Sequence, residues 1–342
     1  MHTAIHQAME FVLRKETVPA VEMTAAFAAI MDGETAETDI AALLTGLCVK
    51  GETAEEIAAA ASVMRTRSTK IPCRSTQLVD TCGTGGDSLH TFNISTATAL
   101  VTAAGGARVA KHGNRSVSSS SGSADVLAAL GVNLQISPQQ VGQCIDDIGI
   151  GFCFAPLLHS AMKNVGPVRQ ALGIRTIFNL LGPLTNPAGA PFQLLGVNRV
   201  AAAEKLARAL HQLGCEQALV VCGNDELDEV SLWGETTVFQ VSADGVRLQN
   251  WTAATFGLEE CPVDRLTVSS PDESAATITG ILDGNPGAAR DIVVANSAAA
   301  LLAGQRARTP GEAAAQAAAA IDSGAARQTL NRLVELTQSF EE

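Results

Sequence analysis

The chain contains no tyrosine, and its aromatic residues make up only 4% of the sequence. Lysine and arginine, 23 in all, are outnumbered by 35 aspartates and glutamates, which gives a net charge of −12. Such a chain is a poor general binder of nucleic acid or anionic membranes, and it offers few rings on which bases could stack. No apolar run approaches the 18 uncharged residues of a membrane-spanning helix. We therefore expect a small-molecule ligand, with no nucleic acid and no membrane as partner.

The cysteines form no Cys-x-x-Cys pair and no zinc-finger spacing, although there are eight of them in 342 residues. In a chain of this length they are typical of buried thiols in a reducing compartment rather than of a disulfide framework. The first residues include His2, His6, Glu10 and Arg14, so they lack the apolar core of a secretory signal. These observations predict a cytoplasmic protein.

The first 72 residues predict a small all-helical domain. Apolar residues recur at helical spacing over 4–13, 20–31, 38–49 and 53–64, and the breaks fall at Pro19, Gly33 and Gly51. We expect this domain to pack against the rest of the chain and leave a cleft between the two.

Residues 73–342 predict a larger α/β domain with a mostly parallel central sheet, because strand patterns alternate with helix patterns. The predicted strands are 77–80, 108–111, 152–154 and 218–222, with a hairpin of 238–241 and 246–248 and a strand-like stretch at 230–232. The predicted helices are 95–104, 123–130, 138–148, 203–213, 311–321 and 327–340.

A glycine-rich turn, Asp80-Thr-Cys-Gly-Thr-Gly-Gly-Asp87, follows the first predicted strand. Its glycines allow a sharp turn and a close approach of the backbone to a ligand. The helix after it presents N–H groups to an anion, with Asn93, Ser95 and Thr96 as further donors. The turn is neither a Walker loop nor a dinucleotide fingerprint, so nothing favours ATP or NAD. An ordinary tight turn is the alternative.

A second polar segment, Lys111-His-Gly-Asn-Arg115 and the serine-rich stretch to Gly122, ends the next predicted strand. Ligands of open α/β sheets gather at the carboxyl ends of strands, and a lysine with a serine-rich loop suits a phosphate. A solvated surface loop is the alternative, but two such loops on consecutive strands favour a phosphate-rich ligand.

Four acids lie between Asn224 and Glu229, just past the predicted strand 218–222. Such a cluster usually marks a solvated turn. Beside two phosphate loops a metal site becomes the better interpretation, because Mg²⁺ prefers one or two carboxylates together with phosphate oxygens. We expect Asp228 and Glu229 to be functional rather than Asp225 and Glu226.

Arg169 follows a Gly166-Pro167 turn and is the candidate for binding a carboxylate, which its planar guanidinium can hold in bidentate fashion. A surface salt bridge on a helix explains it equally well at this point.

Taken together, these segments resemble the anthranilate phosphoribosyltransferase family. The matching motifs, in the family's order, are GTGGD (83–87), TFNIST (91–96), KHGNR (111–115), GSADVLAALG (122–131), PVRQALGIRTIFNLLGPLTNPA (167–188) and LDEVS (227–231). The chain departs from the family pattern at Ser160 and at Ser88-Leu89-His90, where a glycine-led stretch is more usual.

The resemblance implies a nucleoside phosphorylase/phosphoribosyltransferase-like fold with a later helical piece near 160–190, and a homodimer built through the helical domain. It implies transfer of the phosphoribosyl group of phosphoribosyl pyrophosphate to the amine of anthranilate, with release of pyrophosphate, as the second step of tryptophan biosynthesis from chorismate. It also implies Mg²⁺, with two ions per subunit.

The resemblance further implies the residues of the site. Those for phosphoribosyl pyrophosphate are Gly83, Gly86, Asp87, Thr91, Asn93, Ile94, Ser95, Thr96, Lys111, His112, Gly113, Asn114, Arg115, Ser116, Val117, Ser118, Ser119 and Ser123. Those for anthranilate are Gly83, Asn114 and Arg169, with His112 and His159 along the acceptor route, and those for the metal are Ser95, Asp228 and Glu229. No catalytic acid or base is expected, because an aromatic amine is already neutral at pH 7 and positioning with electrostatics carries the reaction.

Two rival functions remain for the same fold. A pyrimidine nucleoside phosphorylase would need no Mg²⁺ pair, and Asp228, Glu229 and Arg169 favour the transferase over it. A non-catalytic relative that binds nucleic acid is disfavoured by the charge of −12 and the intact acid pair.

Overall fold

The structure of the chain is a computed structural model that describes residues 1–115 and 122–340. Its first part is a bundle of helices: α1 (Thr3–Leu13), α2 (Ala20–Asp32), α3 (Glu37–Lys50) and α4 (Ala54–Arg67). The helix α4 begins at a capping box, in which Thr53 and Glu56 each bond the other's backbone N–H. The helices predicted for this part are confirmed, with ends that shift by up to three residues.

The α/β part is built on a sheet that, within the described residues, has seven strands in the order β3-β2-β1-β4-β5-β6-β7. The strands are β1 (Leu78–Gly83), β2 (Arg108–Gly113), β3 (Ile150–Phe154), β4 (Phe192–Gly196), β5 (Gln217–Gly223), β6 (Thr236–Ser242) and β7 (Gly245–Trp251). The first five pair in parallel and the last two antiparallel. The predicted mostly parallel sheet and its hairpin are confirmed.

Helices connect the strands and cover both faces of the sheet. They are α5 (Ile94–Ala104), α6 (Ser123–Ala129), α7 (Pro138–Asp147), α8 (Ala155–Leu158), α9 (Gly166–Leu172), α10 (Phe178–Leu181), α11 (Val200–Gln212), α12 (Pro271–Leu282), α13 (Ala288–Ala303), α14 (Pro310–Asp322) and α15 (Ala325–Gln338). Short 3₁₀ turns occur at Ser160–Asn164, Gly182–Leu184, Ala253–Phe256 and Val263–Leu266.

The stretch 230–232 is not a strand, which corrects the prediction made from its apolar residues. Instead, the backbone N–H and carbonyl of Val230 bond the side chain of Asn296, a buried residue of α13, at 2.8 and 3.0 Å. A side chain of α13 therefore supplies the hydrogen bonds that a neighbouring strand would have supplied.

Two hydrophobic cores hold the molecule together. One joins a face of the sheet to α5, α12, α13, α14 and α15. The other joins the N-terminal helices to the segment 160–190, to α11 and to the sheet's opposite face. The helices α9 and α10 contact α3 and α4, so the segment 160–190 packs with the N-terminal bundle. The domain bounds 1–72 and 73–342 stay a prediction.

Arg65 ties the N-terminal bundle to the sheet domain. Its guanidinium donates to the carbonyl of Leu184 at 2.6 Å and to that of Leu213 at 3.4 Å. Burial lowers the pKa of this arginine. Because backbone carbonyls satisfy its donors, the cation spans the two parts of the molecule without a carboxylate partner among the described residues.

The cysteines are free thiols, and most of them are buried. Cys48 is exposed, however, and Cys73 and Cys261 are half-buried, so the expectation of buried thiols does not hold for all eight. Among residues 1–115 and 122–340, no helix has the length and apolar character needed to cross a bilayer.

Candidate active site

The candidate site lies at the carboxyl ends of β1 and β4, where the order in which the chain adds strands to the sheet reverses. The chain proceeds from β1 outward to β2 and β3, then returns to the other side of β1 with β4 and β5. This arrangement is a topological switch point, at which the loops leave the sheet in opposite directions and open a crevice. The glycine-rich turn follows β1 there, as the sequence predicts.

The glycines of that turn are required by what lies against them. Gly85 and Gly86 have φ values of +68° and +74°, which side chains rarely adopt. A Cβ atom at Gly83 would lie 2.5 Å from Oδ2 of Asp228, and one at Gly196 would overlap the Asp228 carbonyl oxygen. The ends of β1 and β4 thus form a slot that admits Asp228 because neither strand end carries a side chain.

Asp228 reaches through the slot to the glycine-rich turn. Its Oδ2 accepts a hydrogen bond from the Gly85 backbone N–H at 2.7 Å. The neighbouring Glu229 accepts one from the Ser95 backbone at the start of α5, where the helix dipole favours negative charge. The inner acid pair therefore faces the first two polar segments.

Burial, with the nearby carboxylate of Asp87 as the second cause, raises the pKa of Asp228 to about 7. Burial also raises the pKa of Glu229 well above its usual range, with Asp228 as the second cause, while Lys111 opposes the rise. Crowded carboxylates with a single cation are under-neutralised, which is the electrostatic condition that a divalent cation relieves.

The outer acids have structural roles instead. Asp225 Oδ1 accepts the Val200 N–H at 2.7 Å, at the start of α11, and Glu226 Oε1 accepts the indole N–H of Trp233 at 3.3 Å. The structure thus directs the inner pair to the crevice and the outer pair to local hydrogen bonds. The assignment of metal binding to Asp228 and Glu229 stays a prediction.

Lys111 is almost completely buried, with 2% of its surface exposed. Its Nζ donates to the Thr81 carbonyl at 2.9 Å and to Ser95 Oγ at 3.0 Å. Burial lowers the pKa of Lys111, and the carboxylates around it offset only part of this decrease. The ammonium that the sequence assigns to a donor phosphate therefore lies inside the protein, beside the acid pair.

Asn93 organises the N-terminus of α5. Its Oδ1 accepts the Thr96 N–H at 3.0 Å and the Ser95 hydroxyl at 3.2 Å, and its own backbone N–H donates to Ser274 Oγ at 2.8 Å. Ile94 is buried in the core below. The residues between the glycines and α5 are ordered by local contacts: Asp87 accepts the Leu89 N–H at 3.1 Å, and Thr91 forms an isolated bridge with Thr267.

The departure from the family pattern at Ser88-Leu89-His90 coincides with unusual backbone geometry. Ser88 and His90 have φ values of +62° and +54°, in the left-handed region that glycine adopts more readily. This chain therefore keeps a glycine-type conformation there without the glycine.

The segment after β2 is described only in part. Arg115 pairs with Asp125 at 2.8 Å and lies 6.0 Å from the centre of the Phe154 ring, while Ser123 Oγ donates to the Asn114 carbonyl at 3.4 Å. Gly113 ends β2. The remaining predicted donor residues lie outside the described residues: Ser116, Val117, Ser118 and Ser119.

His112 and His159 form a buried pair, with their Nε2 atoms 3.2 Å apart. His112 Nδ1 lies 3.1 Å from the Gly182 carbonyl, so we assign the proton to that nitrogen, and His159 donates Nε2–H to His112. Burial lowers the pKa of His112 to about 3 and that of His159 to about 4. Both rings are therefore neutral at physiological pH.

Arg169 is half-buried above the ring of Phe178, with its guanidinium carbon 5.5 Å from the ring centre. Burial lowers its pKa. Within the described part of the chain it forms no salt bridge, so the alternative of a surface salt bridge is wrong. The planar fork is held by the ring and stays open to a carboxylate ligand.

Sequence reasoning missed two residues that hold the glycine-rich turn. The guanidinium of Arg175 donates to the carbonyls of Gly85 and Gly86 at 3.3 and 3.1 Å, and the Asn198 amide donates to the Gly86 carbonyl at 2.7 Å. Arg175 stands in one of the quoted motifs, but nothing in its spacing indicated a contact with a loop about 90 residues away.

A metal ion would find oxygen ligands here rather than a finished cage. Among residues 1–115 and 122–340, no group of three His, Cys, Asp or Glu side chains stands ready for a metal. Ser95, Asp228 and Glu229 nevertheless lie together with Asp87 beside them. Such a donor set fits a hard cation that takes its other ligands from water and from a bound ligand.

Family models match nearly the whole chain in two pieces. The model described as "Glycosyl transferase family, helical bundle domain" matches residues 6–68, and "Glycosyl transferase family, a/b domain" matches residues 75–327. The chain is 49% identical to the anthranilate phosphoribosyltransferase of Thioalkalivibrio sulfidiphilus, over 98% of this chain and 99% of that protein. It is 50% identical to that of Thiobacillus denitrificans, over 96% of each.

Solved structures of the same name have the same fold. That from Thermus thermophilus has a TM-score of 0.92 at 40% identity, covering 97% of this chain and 99% of that one. The enzyme from Saccharomyces cerevisiae in complex with PRPP and Mg has a TM-score of 0.90 at 27% identity, covering 99% of both chains. The same yeast enzyme in complex with 4-fluoroanthranilate has a TM-score of 0.87 at 26% identity, covering 98% of both. The chain described here belongs to the anthranilate phosphoribosyltransferase family.

Proposed function

We propose that this chain transfers the phosphoribosyl group of phosphoribosyl pyrophosphate to the amine of anthranilate and releases pyrophosphate. The observation that carries the proposal is the 2.7 Å hydrogen bond from Gly85 N–H to Asp228 Oδ2, because it brings the acid pair directly under the glycine-rich turn. A phosphate-rich donor needs both features in one place: backbone N–H groups for its oxygens and carboxylates for its cation. Membership of the family supports the proposal.

The donor would lie along the crevice between the ends of β1 and β2. Backbone N–H groups of the turn and of the start of α5 would bind its oxygens, with Lys111 supplying positive charge from behind. The proposed donor residues are Gly83, Gly86, Asp87, Thr91, Asn93, Ile94, Ser95, Thr96, Lys111, His112, Gly113, Asn114, Arg115, Ser116, Val117, Ser118, Ser119 and Ser123.

Mg²⁺ is the proposed cofactor, held by Ser95, Asp228 and Glu229, with two ions per subunit. The raised pKa values of the two acids support this, because crowded carboxylates gain from a cation placed between them. The yeast relative binds Mg together with PRPP. When bound, the metal would neutralise charge on the pyrophosphate leaving group.

Anthranilate would be held by Gly83, Asn114 and Arg169, with Arg169 on its carboxylate. The guanidinium of Arg169 lies over the Phe178 ring and has no carboxylate partner among the described residues, which supports this role. The neutral pair of His112 and His159 lies at the end of β2, where it would form a polar but uncharged wall beside the acceptor. The yeast relative binds 4-fluoroanthranilate, a close analogue.

The protein's own contribution to the reaction is placement and electrostatics. Departure of pyrophosphate leaves positive character at ribose C1 and gathers negative charge on the leaving oxygens. The glycine-rich turn and the N-terminus of α5 border that region, so the positive end of the helix dipole would lie near the developing charge. The amine of anthranilate is uncharged at neutral pH, so attack requires no base, and the neutral histidines need not act as one.

A homodimer through the helical domain and a cytoplasmic location complete the proposal. Leu13, Val21 and Val49 expose 76%, 77% and 80% of their surface. They lie at the end of α1, the start of α2 and the end of α3, so the bundle presents apolar side chains for a second copy to cover. Sedimentation velocity of the native chain and of Val21→Glu would test it: we expect a dimer that the charge weakens, and a monomeric native chain would contradict it.

The experiment that tests the proposed function separates it from nucleoside phosphorolysis. The protein is incubated with PRPP, Mg²⁺ and anthranilate, and in parallel with phosphate and uridine or thymidine, and the products are identified by mass spectrometry. We expect N-(5-phosphoribosyl)anthranilate and pyrophosphate in the first mixture and no ribose 1-phosphate or deoxyribose 1-phosphate in the second. A sugar 1-phosphate without the anthranilate product would overturn the proposal.

A further inference from the structure

The strands β1 and β2 part before they reach the active site. Their pairing stops at Val79↔Val109. Yet β1 stays paired with β4 as far as Gly83, and β2 stays paired with β3 as far as Gly113. Both strands are thus fully formed beyond Val79, but they no longer hydrogen-bond each other. The gap opens at the carboxyl ends, between the glycine-rich turn and the Lys111-His112 segment.

Beyond Val79, side chains make hydrogen bonds in place of the backbone bonds between β1 and β2. Oδ1 of Asp80 accepts the His112 backbone N–H at 3.0 Å. Oδ2 of Asp80 accepts the Asn186 amide at 2.8 Å, and the same amide donates to the Ala110 carbonyl at 2.8 Å. On the β1 side, the Thr81 carbonyl accepts from Lys111 Nζ at 2.9 Å.

Burial of the polar side chains of Asp80 and Asn186, which form this bridge, costs free energy. Asp80 exposes 1% of its surface and Asn186 exposes 8%. A buried carboxylate is strongly destabilising unless donors surround it, and here the third donor is the Cys82 thiol, 3.3 Å away. An aliphatic residue at position 80 would be the usual choice for a central parallel strand. A carboxylate here keeps the strands apart while fixing the distance between them.

We propose that Asp80 is a positioning residue for the transferase reaction, because it holds the end of β2 at a fixed separation from β1 and so places Lys111 and His112 at the site. This inference rests on the proposed function for what is positioned. Asp80 acts on the proposed site through the position of the end of β2 and through its charge, which favours the ammonium form of Lys111. Asn186 is its partner in the same task, since it links the carboxylate to the Ala110 carbonyl.

The geometry predicts what the loss of the bridge does. Without the carboxylate, the His112 N–H loses its acceptor and the Asn186 amide keeps only the Ala110 carbonyl, so the end of β2 is free to shift. Lys111 would then move relative to Ser95 and the acid pair, where the donor is proposed to bind. Misplacement of about 1 Å can cost roughly a hundredfold in rate, so the effect should appear in kcat and in KM for PRPP. Arg169 is not held by this bridge, whereas His112 and Asn114 lie at the end of β2, so KM for anthranilate should change less than KM for PRPP.

Asp80→Asn is the test variant and Gln193→Met is its matched control. Asparagine keeps the volume but can accept on one side only, so its NH2 group faces either the His112 N–H or the Asn186 amide, and in both cases a donor faces a donor. Gln193 is a buried neighbour on β4 that exposes 5% of its surface. Its amide donates to the Pro183 carbonyl at 2.8 Å and to Cys82 Sγ at 3.3 Å, so its loss removes buried hydrogen bonds and reaches Asp80 only through the Cys82 thiol, while both bonds from the bridge to β2 remain.

Two readouts are needed, one of which does not depend on the reaction. Hydrogen exchange of the His112 amide should accelerate about tenfold or more in Asp80→Asn and stay native-like in Gln193→Met, because only the first breaks an arm of the bridge that holds the end of β2. In the full chain with PRPP, Mg²⁺ and anthranilate, Asp80→Asn should lower kcat/KM for PRPP about tenfold or more, with a smaller effect on KM for anthranilate. If Asp80→Asn does not fold, Asn186→Ala replaces it, with the same direction expected in both readouts.

The proposal is overturned if the folded Asp80→Asn chain keeps native exchange at His112, or if its kinetics match those of Gln193→Met at equal loss of Tm. A native chain without transferase activity would instead overturn the proposed function, while the exchange comparison would still decide whether Asp80 holds β2.

Discussion

Asp228 and Gly85 lie 143 residues apart in the chain, and a 2.7 Å hydrogen bond joins the carboxylate of one to the backbone N–H of the other. This contact is made possible by the missing side chains at Gly83 and Gly196, which would otherwise collide with Asp228. It fixes the acid pair beneath the turn. The contact gives the proposed phosphoribosyl transfer a geometric basis, because a cation bound to the acids would lie next to a phosphate bound at the turn.

The charge of the acid pair can be separated from its hydrogen bond. In Asp228→Asn the amide oxygen can still accept the Gly85 N–H, whereas Asp228→Ala removes both charge and acceptor. We expect Asp228→Asn to lower kcat roughly 10- to 100-fold and to require more Mg²⁺, because carboxylate charge is what attracts the ion. Titrating Mg²⁺ at saturating substrates measures this.

Glu226→Gln is the control for that experiment, because Glu226 belongs to the outer acids and bonds Trp233. It should keep the native Mg²⁺ dependence. Equal Mg²⁺ dependence in Asp228→Asn and the native chain would move the metal site elsewhere.

Arg169 should act on the acceptor alone. Loss of a charged hydrogen-bonding partner costs about 1.5–3 kcal/mol, so Arg169→Ala should raise KM for anthranilate roughly 10- to 100-fold, with KM for PRPP nearly native. Arg208→Ala is a surface control, since Arg208 pairs with Glu204 one turn away on the exposed side of α11. Steady-state kinetics with each substrate varied in turn would decide it, and an unchanged anthranilate KM would contradict the assigned role.

The two neutral histidines predict an acid-sensitive fold. Their pKa values in the folded chain, about 3 for His112 and about 4 for His159, lie below the ordinary value of 6.5. The unfolded chain therefore binds protons first as pH falls. This stabilisation is complete above pH 6.5 and is lost progressively down to about pH 4. Between pH 7 and pH 5 each histidine should contribute a loss of up to about 2 kcal/mol.

Urea unfolding at pH 7 and pH 5 tests this, with His159→Gln compared with the native chain at both values. The variant should lose less stability between the two values, because carboxylates titrate alike in both proteins and one histidine is gone. Identical pH dependence would mean that folding does not lower the pKa of His159.

Ser88 predicts a stabilising substitution inside the donor loop. Its φ of +62° costs a side-chain-bearing residue about 1 kcal/mol that glycine does not incur, so Ser88→Gly should raise Tm by about 1–3 °C. Ser323 is the matched control, because its φ is −77° and Ser323→Gly should lower Tm slightly. A lower Tm for Ser88→Gly would show that the serine side chain stabilises the turn.

Local patterns predicted the parts of the fold that local forces decide. The spacing of apolar residues and the glycine or proline breaks predicted the N-terminal helices, whose ends agree with the structure to within three residues. By contrast, β4 was missed because its five residues follow Pro191 in an irregular stretch, and α12 and α13 were missed although Ser270-Pro271 caps the first of them. The apolar stretch at 230–232 misled because Asn296, far away in sequence, takes the place of a strand.

The site divides in the same way. The glycine-rich turn, the Lys111 segment and the acid cluster could be placed after β1, β2 and β5, because each is a local motif that follows a strand pattern. The assignment of metal binding to Asp228 and Glu229 stays a prediction. Arg175 and Asn198 could not be, since what they bind is the backbone of a loop about 90 and 112 residues away. Backbone acceptors carry no sequence signature, so only the folded chain shows which side chains reach them.

If anthranilate and PRPP react at this crevice, anthranilate fluorescence decreases as the product forms. Protein, PRPP and Mg²⁺ are mixed with anthranilate, with controls that omit each component and a further control with Asp228→Ala. We expect a decrease that requires every component and is at least about tenfold slower with Asp228→Ala. Undiminished fluorescence in the complete mixture, or an equal rate with Asp228→Ala, would contradict it.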